Sequence, residues 1–324
     1  MQGEKMWATF AQLGYNVYGD QIHRYVPSNT ALLSTAVMRA DEPYWKDYTE
    51  KLVQNGCNTL IVEVAEALQY ESHPELAIEG SWTREQMQKE LARLRTLGFT
   101  EIIPKLNFGA GHDIWLKHYD HMLSSKLYYE VTADLIREVI EVFGAKHIHL
   151  GMDEEHYRFQ NPKRRGLAII RRGNAWWHDL YHYIDCAERQ NARPWVWSDP
   201  VWYNPDEFFA KMPKSVVQCN WYYGERFENP TDDGDDHNDK TYLRAFELLE
   251  EHGFDQMPTG SNVYGAEQNL LDMTKFCRER IAPDRFLGLM DAPWAPITRT
   301  NAARLERSAV HLGEARAWFE ATKR

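Results

Sequence analysis

A single (β/α)8 barrel, an α/β fold in one domain, is the architecture the sequence predicts, on three observations. The 324 residues suit one barrel with insertions, since such barrels take about 250 residues. Short apolar, β-branched runs alternate with longer helical patterns, the signature of βα units around a parallel sheet. No glycine-rich phosphate turn follows the first such run, as an open doubly wound sheet would require.

The first strand is placed at Leu32–Met38, with residues 1–30 as an N-terminal cap or extra segment and residues 31–324 as the catalytic barrel. Pro43 suits the opening of a helix that stops at Asn55-Gly56. Asn58–Val64 is the second strand. Thr83 and Gln86 form a capping box for a helix ending near Gly98. Thr100–Leu106 is the third strand, Thr132–Phe143 a helix, and Lys146–Gly151 the fourth strand. A helix over Trp176–Asn191 leads to the fifth strand, Pro194–Ser198, and Ser215–Trp221 is the sixth. The helix Tyr242–His252 precedes a seventh strand at Gln256–Ser261. The helix Asn269–Ile281 precedes an eighth at Arg285–Met290, and an amphipathic helix closes the chain over Asn301–Ala321.

Composition narrows the function. Hydrophobic and charged fractions of 43% and 26% are those of a globular chain. A net charge of −11 argues against nucleic acid and against an anionic membrane as partner. No apolar run reaches the ~20 residues of a membrane span, and Met1–Trp7 lacks the pattern of a signal peptide, so a cytoplasmic location is expected. Cys57, Cys186, Cys219 and Cys277 are widely spaced and read as reduced structural thiols. The aromatic content, with 12 Trp and 17 Tyr, suits a large core or a sugar cleft, because Trp offers an apolar face and a polar edge. The acidic stretch Glu228–Lys240 reads as a solvated loop or lid.

In such barrels the chemistry sits just beyond the C-terminal ends of the strands. Arg39 follows the first strand, Glu63 and Glu66 the second, and Asn107 and His112 the third. Asp153, Glu154, Glu155 and His156 follow the fourth. Trp197, Asp199 and Trp202 close the fifth, and Trp221, Tyr222 and Tyr223 the sixth. Asn262, Tyr264 and Glu267 follow the seventh, Asp291 and Trp294 the eighth. The tryptophans suit either packing of the upper barrel layer or the wall of a sugar pocket. Asp153-Glu154 is the sharpest local signal. Adjacent acids at a strand end can be tuned apart, one ionised and one protonated, for acid/base chemistry. The plainer alternative is a salt bridge with Arg39 or Lys105.

His149-Leu150-Gly151-Met152-Asp153-Glu154 resembles the His-x-Gly-x-Asp-Glu motif of glycoside hydrolase family 20, the β-hexosaminidases. The resemblance runs from about Leu32 to Glu314. It includes a strand ending in Arg39, the Ile102-Ile103-Pro104 strand with Gly111-His112, and Trp197, Trp221, Tyr264 and Trp294 at pocket positions. It implies an exo-acting, retaining, substrate-assisted glycosidase, an exception to the two-carboxylate scheme. Glu154 would be general acid/base, and Asp153 and Tyr264 would hold the 2-acetamido group. Trp197, Trp221 and Trp294 would enclose the sugar, and Arg39 would bind its hydroxyls. The implied partner is a carbohydrate, with no cofactor or metal. The chain departs from the family at Lys105, Asn107, Glu63–Glu66 and Pro296, with Asp291 a candidate to compensate for Pro296, and it has no counterpart of the family's amino-terminal α/β domain.

Three other readings remain open on sequence. A retaining glycosidase would use Glu154 as acid/base and Glu267 as nucleophile on a sugar lacking the acetamido group. A metal-dependent sugar isomerase or epimerase would draw ligands from His147, His149, Glu63, Asp153 and His156. A non-catalytic sugar-binding barrel would need neither acid. Lys163-Arg164-Arg165 with Arg171-Arg172 reads as a solvated basic surface or as a site for an anionic sugar substituent.

Overall fold

The computed structural model describes residues 4–16, 34–109, 112–155, 171, 173–231 and 238–322. The eight strands are β1 (Met6–Gln12), β2 (Thr59–Glu63), β3 (Glu101–Lys105), β4 (His147–His149), β5 (Arg193–Trp197), β6 (Val217–Cys219), β7 (Thr259–Gly260) and β8 (Gly288–Asp291). They pair in parallel in the order β6-β5-β4-β3-β2-β1-β8-β7. Single bridges, Gln218 with Gln256 and Trp221 with Thr259, join β6 to the β7 segment, so the sheet curls into a nearly closed (β/α)8 barrel. The main crossover helices are α1 (Glu42–Gln54), α2 (Arg84–Leu97), α3 (Lys126–Phe143) and α4 (Asn174–Arg189). After the short α5 (Pro200–Tyr203) and α6 (Pro205–Lys211) come α7 (Asp239–Glu251), α8 (Asn269–Arg280) and α9 (Ala302–Ala321). No helix among the described residues is long and apolar enough to cross a membrane. All four cysteines are free thiols.

The first strand corrects the expectation. Met6–Gln12, not Leu32–Met38, pairs with β2 and β8, so part of the expected N-terminal cap is a wall of the barrel. Six of its seven residues are buried, and packing on both faces erases the alternation that marks a half-buried strand. In the segment read as that strand, Val37 forms one bridge with Glu79, and Leu32 and Leu33 lie outside the described residues. Helix α3 starts at Lys126, six residues before Thr132, because Ser125 caps it by accepting the Tyr128 N–H. Asp41 caps α1 with Pro43 in the first turn, and the Thr83–Gln86 capping box forms as expected.

Strand alternation sorts the core into two layers. Ala8, Phe10, Ile61, Ile103, Trp195, Trp197, Val217 and Met290 fill the barrel interior, whereas Leu60, Val62, Ile102, Ile148, Val196 and Leu289 pack under the helices. The same parity sends Gln12, Glu63, Lys105 and His149 inward. Lys105 Nζ lies 2.5 Å from Glu63 Oε2, both side chains being essentially inaccessible, and 5.2 Å from the centre of the Phe10 ring. Burial pushes the Glu63 carboxyl up to about 7 against the pull of Lys105. Removing one partner of a buried pair costs about 3–5 kcal/mol, while replacing both by apolar groups can be neutral. Glu63→Leu should therefore lower stability by about that amount, and Lys105→Met added to it should recover most of the loss, read as urea midpoints at constant m-value.

Candidate active site

The turn after β4 presents the acids. Gly151, Met152 and Glu154 have φ of 75°, 70° and 54°, the left-handed region that only glycine adopts freely. At Gly151 a Cβ would fall 2.3 Å from Asn107 Oδ1, so the end of β3 packs directly on this turn. That defines Asn107: buried, it braces the β4 turn, and its carbonyl accepts the Trp115 Nε1–H at 2.9 Å. The tight path leaves Asp153 buried, at 6% exposure, and the Glu154 side chain 35% open.

His112, on the loop after β3, joins the two acids. Its Nδ1 lies 3.3 Å from Asp153 Oδ2 and its Nε2 3.3 Å from Glu154 Oε2. Burial opposes the charged imidazole, but both carboxylates outweigh it, and the ring is pushed up to about 10. Burial likewise opposes ionisation of Asp153, yet His112 and Lys105 hold it below the usual carboxylate range. At neutral pH the pair is an imidazolium against a carboxylate. His112 thus contacts the acids directly, a role its place in a Gly-His turn does not disclose.

Asp199, at the end of β5, is a strand-end residue to which the sequence assigns no role, and it joins the site. Its Oδ2 accepts the Glu154 N–H at 2.9 Å, and burial with the Asp153 and Glu154 charges raises its carboxyl well above the ordinary value. Tyr223 is a second. Its ring meets Trp294 edge-on at 6.4 Å, and burial raises its hydroxyl, with Asp153 and Glu154 contributing. Its sequence signal is parity: it lies two residues beyond Trp221, on the same side of the chain.

The aromatic wall exists, with unequal access. Trp197 packs at 5.5 Å from Trp221, 6.0 Å from Trp294 and 6.4 Å from Phe10. Trp197 is 1% exposed, and its buried Nε1–H has no acceptor among the described residues. Trp221 is also buried, while Trp294 is partly open. Arg39 stacks on Tyr15 at 4.6 Å and feels the charge of Glu66, whose Oε1 accepts the Tyr15 and Asn16 N–H groups. Tyr264 lies at the surface, 77% exposed.

Three expectations are corrected. Asp291 does not face the mouth: it points into the helix layer, accepts the Ser308 hydroxyl of α9 at 2.6 Å, and is raised to about 7 by burial. Glu267 forms an exposed ion pair with Arg307 at 2.6 Å. Arg171 is no surface cation. It is buried against Glu155 and Asp179 and donates to the Phe108 carbonyl, clamping the β4 turn to α4. Lys163, Arg164, Arg165, Arg172 and most of the acidic stretch lie outside the described residues.

The isomerase ligand set is not assembled. His147 accepts the Trp195 Nε1–H, Glu63 holds Lys105, His149 Nδ1 accepts the Gly151 N–H, and His156 is outside the described residues. Among the described residues, the one group of possible ligand atoms within 4.8 Å of each other is His112, Asp153 and Glu154, where the imidazolium already stands between the acids.

The His112 pairing makes a pH prediction. Its folded pKa of about 10 lies above 6.5, so its contribution is complete below pH 6.5 and is lost as pH rises to about 10. Asp153 is shifted downward, so its share is present above 3.8 and is lost as pH falls through its depressed value. The stability gap between the wild type and His112→Gln should be widest near pH ~6 and close toward pH ~10, measured by urea denaturation across pH.

No family model matches the chain, and no curated protein matches it by sequence. Solved structures do. A family 20 β-N-acetylhexosaminidase from Streptomyces coelicolor superposes with a TM-score of 0.62 at 10% identity, covering 95% of this chain and 64% of its own. A mutant β-hexosaminidase from Streptomyces plicatus with its product GlcNAc gives 0.60 at 10% identity, covering 95% and 63%. The pneumococcal virulence factor StrH, studied for N-glycan recognition and hydrolysis, gives 0.62 at 11% identity, covering 96% and 83%. The chain thus spans about two thirds or less of the Streptomyces enzymes. At this identity the likeness establishes a common barrel fold, drawn from solved hexosaminidases of glycoside hydrolase family 20.

Proposed function

We propose that this chain is an exo-acting, retaining glycoside hydrolase of the β-N-acetylhexosaminidase kind, working by substrate assistance. One observation carries the reading: Asp153 and Glu154 reach one imidazole at the mouth of a barrel walled by Trp197, Trp221 and Trp294. The fold shared with family 20 structures, one holding GlcNAc, supports it.

The geometry supports the roles that the family resemblance implies. Asp153, buried and held ionised, is suited to accept the N–H of a 2-acetamido group and to face the positive charge that develops beside it. Glu154, the more open acid, is suited to reach the leaving oxygen. The acetamido oxygen attacks the anomeric carbon as the glycosidic C–O bond breaks. The Glu154 proton passes to the departing oxygen, leaving a carboxylate and a cyclic oxazolinium. Water then adds at the anomeric carbon, gives its proton to Glu154, and reopens the ring with retained configuration. Arg39, set on Tyr15 at the rim, is suited to bind hydroxyls of the terminal sugar. The Glu154/Glu267 alternative loses ground because Glu267 is engaged with Arg307 at the surface.

A panel of nitrophenyl glycosides with and without the 2-acetamido group tests the reading. Cleavage confined to glycosides carrying it is expected, and cleavage confined to those lacking it rejects the proposal. Glu154→Gln should lower kcat/KM by about 10²–10⁴-fold, the usual worth of a general acid. The loss should be smaller for nitrophenolate, which leaves without a proton, than for a sugar leaving group.

A further inference from the structure

Asp199 holds the least expected group in the molecule. It closes β5, is 2% exposed, and accepts the Glu154 N–H through Oδ2 at 2.9 Å. Its Oδ1 and Asp153 Oδ1 are both shut from water and have no hydrogen-bond partner among the described residues. The charged groups acting on it are Asp153 and Glu154, from the β4 turn. The cation of this cluster, His112 on the β3 loop, is taken up by those same two acids, and Lys105 of β3 is paired with Glu63. Three carboxyl groups therefore share one imidazolium. A carboxylate buried beside ionised Asp153 with no cation of its own takes up a proton instead of remaining ionised. The upward shift of Asp199 agrees with that geometry.

We propose that Asp199 is a positioning residue that acts as a neutral carboxylic acid. Oδ2 pins the left-handed Glu154 backbone, and the acid hydrogen gives the carboxylate cluster a donor where an ionised group would repel it. The inference rests on the reaction proposed above and adds a residue outside the reacting atoms. Pinning matters because Glu154 sits at a φ of 54°, in a conformation its own side chain does not favour. A misplacement of about 1 Å can cost about 10²-fold in rate. Neutrality matters because a further negative charge would raise the proton affinity of Asp153, which must stay ionised.

Two substitutions separate the parts. Asp199→Asn keeps an acceptor for the Glu154 N–H and a neutral donor on the other atom. Asp199→Ala keeps neither. We expect Asn to hold kcat within about tenfold of the wild type. We expect Ala to lose about 10²-fold in kcat with a smaller change in KM. Asn as impaired as Ala overturns the proposal.

Urea denaturation of the wild type and Asp199→Asn adds a readout independent of turnover. Above pH 3.8 the unfolded carboxyl ionises while the folded one keeps its proton, so the wild type should lose stability relative to Asn as pH rises. That slope supports a neutral Asp199 even if no glycoside is cleaved, in which case the proposed function alone fails. A flat difference means that Asp199 is charged in the fold, and the proposal falls whatever the enzyme hydrolyses.

Discussion

The imidazole of His112, held between Asp153 and Glu154 away from bulk water, is the contact on which the rest of the site depends. A buried acid such as Asp153 stays ionised in so dry a place only beside a cation. The ring supplies it in a form that no flexible lysine would match, with one nitrogen toward each acid. The β3 loop must therefore fold over the β4 turn, and Gly151 is small because Asn107 occupies the space beside it. Backbone strain in the turn is the cost of bringing neighbouring side chains to the two sides of one ring.

Beneath this group the barrel interior is not uniformly apolar. Lys105 and Glu63 form a closed pair one layer down, and the field of Lys105 reaches upward to Asp153. Burial and the same lysine keep His149 well below its ordinary value, so it stays neutral. The motif histidine before the acids is thus an interior packing group, with Trp197 against its ring at 4.6 Å and the Gly151 N–H on Nδ1. Charge in the upper barrel is graded, from a paired core through a neutral layer to an ionised rim.

Much of this was legible in the sequence, and each exception has its own physical cause. Strands β2 to β8 and helices α1 to α4 and α7 to α9 announced themselves through β-branched runs, Thr83–Gln86 and glycine stops, whereas the short α5 and α6 did not. Met6–Gln12 did not, because Thr9 is its single β-branched residue, whereas the equally buried β2 carries Thr59, Ile61 and Val62. The acids at 153 and 154 could be read from a strand end. Asp199 and Tyr223 could not be added to them, because their link to Glu154 crosses from one strand end to another and leaves no local spacing. Asp291 misled for the opposite reason. It lies at a strand end, but its parity turns it toward Ser308. Arg171 looked like part of a basic run and is instead an internal clamp, since a guanidinium with several donors can satisfy two buried acids at once.

That clamp has an architectural consequence. Glu155 and Arg171 are the described residues on either side of residues 156–170, and their buried contact draws both ends of that stretch to one point beneath the β4 turn. A segment anchored at its base in this way can lengthen, shorten or change composition at little entropic expense and without shifting the acids one residue away. The acids at 153 and 154 can therefore be inherited unchanged while the sequence between Glu155 and Arg171 varies.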